Sequence, residues 1–133
     1  GLNPEVLNSL YRVRAMLETD AAYLAATNMN SSELSELGKL INIDIDEKDA
    51  PALAARDFNI HHIIAVFSGN IVYPLIINTL KPVYLEYLQT FYRKTENNGN
   101  IRFVQSELLK AFAGRDAKRA ASLMKELSSF TID

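Results

Sequence analysis

The sequence has no cysteine. Disulfide frameworks and thiolate metal sites are thereby excluded, and a reducing compartment, by default the cytoplasm, suits the chain. It also has no basic excess. Against 16 aspartates and glutamates stand 14 lysines and arginines, a net charge of -2. No overall positive field is available to grip a nucleic-acid backbone or an anionic membrane surface. Long apolar runs are missing too, each being interrupted by Asn, Lys, Glu or Pro well short of the roughly 20 residues of a membrane span. No basic stretch followed by an apolar one opens the chain, so neither secretion nor membrane insertion is expected. What is present is 133 residues, 48% of them hydrophobic, enough for a single domain with its own core.

Apolar residues recur at helical rather than strand spacing throughout, and no segment reads convincingly as a strand. The first helix is expected from Pro4 to Thr27 behind Asn3 as cap, with Val6, Leu10, Val13, Leu17, Ala21 and Leu24 on its apolar side. Arg14 falls among them. An inward arginine needs a partner, because an unpaired buried charge is costly. Glu18 one turn on, a carboxylate from another helix and an anionic ligand all qualify. A short helix from Glu33 to Asn42 should follow, capped by Ser32. The acidic loop IDIDEKDAP comes next; it lacks the glycine and distal glutamate of a calcium loop and reads as solvated, with Asp46 or Asp49 capping the following helix.

That helix, Pro51 to Ser68, belongs to the stretch RDFNIHHIIAVFSGNIVY, which contains both histidines of the chain. Asp57 and His61 are four apart and share a face with Ala54, Ile64 and Ser68, whereas His62 falls elsewhere. A carboxylate and an imidazole so placed supply either half of a divalent-metal site or a hydrogen-bonded pair that fixes the helix. Gly69 breaks the helix and Asn70 can cap another from Ile71 to Thr95, which Pro82 should kink or divide. This segment is apolar on more than one side, with Asn78 beside Leu75 and Leu85. It is therefore either central in the fold or shared with a second subunit. Two more helices are expected, Ile101 to Ala113 and another capped by Asp116. Gln105 is the polar exception on the first of them and needs a partner if buried. The sum is an all-α, antiparallel bundle of about six to seven helices.

Four features in order carry a resemblance: VRAMLE near the start, Asp57-x3-His61, SGN before an apolar helix, and AFAGRDAKRAASLMKEL at the end. Together they resemble the C-terminal effector-binding and dimerisation (FCD) domain of GntR-family bacterial transcription regulators, in the FadR-like subfamily, over essentially the whole chain, residues 1–133. The resemblance implies a central cavity that takes a small organic acid or a fatty acyl-CoA. It implies a homodimer, and DNA contact only through a separate N-terminal winged-helix domain that this chain does not contain. By matching position Arg14 faces the effector, and Asp57 and His61 are the first two of four metal ligands in the metal-binding branch. The other two should fall near Gln105 and Leu127, neither of them histidine, so a bound divalent metal is doubtful and no cofactor is certain. The expected effector-facing set is Arg14, Asp57, His61, Asn78 and Gln105. No enzymatic activity is expected. The rival readings are a helical metal-binding domain or enzyme using Asp57 and His61, and a plain helical interaction module.

Overall fold

Asparagine and aspartate side chains set the starts of most helices in this protein. Residues 3–94 and 98–129 are described by a computed structural model, and they form seven α-helices. Asn3 Oδ1 accepts from the Glu5 amide at 2.8 Å and opens α1, Pro4–Asn28. Helix α2, Ser31–Ile41, starts with a reciprocal box. Here the Glu33 amide donates to Asn30 Oδ1 at 2.8 Å, and the Asn30 amide donates to Glu33 Oε1 at 3.0 Å. The cap is thus Asn30 rather than the expected Ser32, because only Asn30 puts a glutamate at the third helical position. Asp49 caps α3, Ala50–Phe67, and Asp116 caps α7, Ala117–Ser128.

Proline divides the long apolar segment as expected. Helix α4, Val72–Thr79, and α5, Lys81–Tyr92, meet at Leu80. Pro82 sits in the first turn of α5, where its missing N–H leaves no intrahelical bond unmade. The expected helix end at Thr95 lies outside the described residues. Helix α6, Asn98–Ala113, begins three residues before the expected Ile101. It passes into α7 through Gly114 and Arg115, whose φ is 56°.

Helix α1 packs chiefly against α7 and α3, α3 against α5, and α6 against α7. Ala22, Ala25 and Ala26 of α1 are wholly buried, small side chains that let neighbouring backbones approach closely. The core is filled by Ile60, Ile64, Tyr84, Tyr87, Leu108 and Met124. The faces of α1, α3 and α5 that meet here also carry polar groups inward. Among the described residues no helix is long and apolar enough to cross a membrane.

Candidate functional site

Arg14 and Glu18 lie one turn apart on α1, and both are buried. Arg14 Nε donates to Glu18 Oε2 at 2.7 Å. The other Glu18 oxygen receives the Tyr84 hydroxyl of α5 at 2.9 Å and a short contact from His61 Nδ1 of α3. His61 Nε2 lies 3.2 Å from Asp57 Oδ1, an ion-pair distance without good hydrogen-bond alignment. Asp57 Oδ2 accepts from the Tyr92 hydroxyl at 2.5 Å. The Arg14 guanidinium also lies over the Tyr84 ring, 4.3 Å from its centroid, a cation–π contact in a dry setting. Three helices therefore contribute to one buried network, with Glu18 at its hub.

The electrostatics follow from that geometry. Burial alone would raise the pKa of Glu18, but Arg14 and His61 outweigh it and hold the carboxyl at about 2. Burial opposes the His61 cation, yet Glu18 and Asp57 overcome it and raise its pKa. The tyrosines Tyr84 and Tyr92 are pushed up, first by burial and then by neighbouring carboxylates, so they remain hydroxyl donors.

Arg14, Asp57 and His61, together with Tyr87, Ile101 and Leu127, surround a central void of about 10 Å³, room for roughly one water molecule. Of the expected site residues, the structure brings Arg14, Asp57 and His61 together. Gln105 is buried on α6, neither side-chain amide atom hydrogen-bonded among the described residues, and it does not line the void. Leu127 lines the void with carbon. Asn78 does not join them. It is exposed on α4, one step of about 100° beyond Ile77, the buried residue of that helix. The break at Leu80 separates the faces of α4 and α5 that one continuous helix would have shared.

Sequence reasoning did not single out Tyr92 or Arg56, and it gave Glu18 as one of three possible partners for Arg14. The i,i+4 spacing of Arg14 and Glu18 was the available signal. For Tyr92 there was none, because its partner Asp57 lies 35 residues away. The donor set does not fit a divalent ion. Glu18 and Asp57 approach opposite nitrogens of the His61 ring; with a proton on Nδ1 toward Glu18, only Nε2 and Asp57 Oδ1 face one another, two donors where a divalent site takes roughly three or more from the protein. Among the described residues no three His, Asp or Glu side chains are arranged to hold a metal ion.

A seven-helix bundle with an arginine, two carboxylates and a histidine at its centre is now defined, and the sequence model of the FCD domain matches residues 9–129. The chain belongs to the FCD domain family. Two solved structures share the fold of this FCD domain. Streptococcus agalactiae GntR superposes with a TM-score of 0.72 at 22% identity, over 93% of this chain and 56% of that one. E. coli McbR/YncC gives 0.74 at 18% identity, over 95% of this chain and 62% of that one. The domain thus spans less than two thirds of either chain. No curated protein sequence matches it significantly.

Proposed function

We propose that this FCD domain is the effector-sensing and dimerising part of a cytoplasmic GntR-family transcription regulator of the FadR-like kind, acting on DNA through a separate winged-helix domain. The observation that carries the reading is the buried Arg14–Glu18 pair, 2.7 Å apart, at the centre of the bundle. Glu18 stands where the carboxylate of an effector would stand, and an incoming anion competes with it for Arg14. Ligand pockets usually enclose roughly 300–1,000 Å³, so a void of about 10 Å³ admits an effector only if side chains and helices move. Binding is then coupled to rearrangement of the bundle, and a ligand shifts a regulator only through differential affinity for two arrangements. The size of the void favours a small carboxylate over an acyl-CoA.

Calorimetric titration with small carboxylates and with acyl-CoAs tests this. Binding is expected for a small carboxylate, weakened by Arg14→Ala and strengthened by Glu18→Gln, which removes the competing charge, with circular dichroism confirming that each variant is folded. If nothing binds, or if Arg14→Ala leaves the affinity unchanged, the reading fails. The rival reading, a metal-dependent helical domain or enzyme using Asp57 and His61, is disfavoured because no group of three His, Asp or Glu side chains among the described residues is arranged to hold a metal ion.

Dimerisation has its own support. Ile71, just before α4, is 80% exposed, Leu75 on α4 is 62% exposed, and on α1 Met16 is 78% exposed. A groove between these helices, lined by Val13, Met16, Leu17, Tyr73 and Ile76, makes them one surface. Apolar surface of this extent marks an interface, and a second copy of the chain is its proposed occupant.

A further inference from the structure

A second polar cleft lies outside the central network, between the loop after α2, the start of α3, the end of α5 and the start of α6. Its volume is about 210 Å³, and Arg56, Arg102, Asn98, Tyr92, Asp44 and Glu47 line it. Arg56 is 5% exposed; its Nη1 donates to the Ile43 carbonyl at 2.6 Å. Among the described residues neither Arg56 nor Arg102 has a carboxylate oxygen within 4.0 Å. Two guanidinium groups thus share a cleft with no carboxylate at ion-pair distance, although Asp44 and Glu47 also line it, and an anion set between the two cations relieves their repulsion. Burial and then Arg102 lower the pKa of Arg56, against Tyr92, Asp57 and Asp44, which raise it.

Asn98 decides what kind of anion. It is 5% exposed, and among the described residues neither its Nδ2 nor its Oδ1 has a hydrogen-bond partner, so the cleft contains a buried donor and a buried acceptor that none of them meets. A bare anion satisfies the donor alone. A molecule with a carboxylate and a hydroxyl satisfies both. Asp44 and Glu47 on the same cleft repel a polyanion and accept from hydroxyls.

We propose that the Arg56–Arg102–Asn98 cleft is a binding site for a small hydroxylated monoanion, distinct from the void at Arg14. The carboxylate lies between the two guanidinium groups, and a hydroxyl meets Asn98 Oδ1. The site is coupled to the centre of the bundle: Ile101 lines both spaces, and Tyr92 lines the cleft while its hydroxyl donates to Asp57.

Nuclear magnetic resonance titration of the chain tests the site, with glycerate as the probe and sulfate as the dianion control. Glycerate is expected to shift the Asn98 side-chain amide and the Arg102 guanidinium signals saturably, and more tightly than sulfate does. Arg102→Gln, a change at an exposed position, should weaken this binding about tenfold, the loss of one charge-assisted hydrogen bond, while Arg14→Ala should leave it unchanged. The proposal is overturned if the Asn98 signal does not saturate, if Arg102→Gln binds equally, if sulfate binds as well, or if His61 responds without Asn98. Its failure would leave the central reading standing, because that one depends on Arg14.

Discussion

Glu18 is the residue on which the interior depends, since Arg14, His61 and Tyr84 all direct a donor at it. Removing the carboxylate leaves two buried cationic groups, Arg14 and His61, with Asp57 as their remaining counter-charge. Glu18→Ala is therefore expected to destabilise the domain by about 3–5 kcal/mol, read as a lowered midpoint in urea unfolding. A pH dependence follows from the same contacts. The Glu18 carboxyl titrates at about 2 in the fold against an ordinary 4.5, so its stabilisation is full above 4.5 and is lost as pH falls toward 2. His61 runs the other way. Its pKa is raised above the ordinary 6.5, so its contribution is full below 6.5 and is lost as pH rises through the folded value. Urea unfolding across pH should show greatest stability between about 4.5 and 6.5; a maximum above pH 8 would contradict the charged His61–Glu18 pair. That Arg14 faces inward was legible from its place between Leu10 and Leu17. That Glu18, rather than a ligand or another helix, takes its charge required the positions of His61 and Tyr84 as well.

At the scale of the element, the turn from α3 to α4 is the place where local chemistry and packing meet. Gly69 has a φ of 83°, a left-handed conformation that costs a residue with a Cβ roughly 1–2 kcal/mol. A Cβ there would also lie 3.4 Å from Asn28 Nδ2, the group that donates to the Ser68 carbonyl at 2.9 Å and ties α1 to the end of α3. Gly69→Ala is expected to lower the thermal midpoint through the backbone strain, the contact with Asn28 being of ordinary van der Waals length, and an unchanged midpoint would show that the turn adapts without strain. This break was visible in the sequence, as were the cap at Asp116, Asp49 as one of two candidate caps for α3, and a kink or division at Pro82, because each is set by one residue and its immediate neighbours. The cap of α2 was misplaced by two residues, since Asn30 and Ser32 are both good caps and the position of Glu33 decides between them.

For the whole molecule, the exposed α1–α4 surface is the feature that a single chain leaves unexplained. The sequence marked the segment from Ile71 to Thr95 as either central or shared, and the structure divides its described part. Helix α5 is core, with Tyr84, Tyr87, Leu88 and Phe91 buried, while α4 leaves Val72 and Leu75 open. A charge in the middle of that surface should abolish pairing without touching the core. Leu75→Glu is expected to give a folded monomer by light scattering where the native chain gives a dimer. A native monomer, or a dimer that survives the substitution, would move the interface elsewhere.

The amino-acid sequence by itself determined the all-α class, most helix boundaries and the inward placement of Arg14, Asp57, His61 and Gln105, because capping, periodicity and proline geometry act over a few residues. Tertiary structure alone decided which of these groups meet. Asn78 was turned outward by the break at Leu80, and Glu18 and His61, 43 residues apart, were brought into contact. Tyr92 was brought onto Asp57, and Arg56 and Arg102 were set facing one cleft. Whether a buried polar group meets a counter-charge, a void or another cation depends on how helices pack side by side. That arrangement is a property of the whole core, not of any one segment.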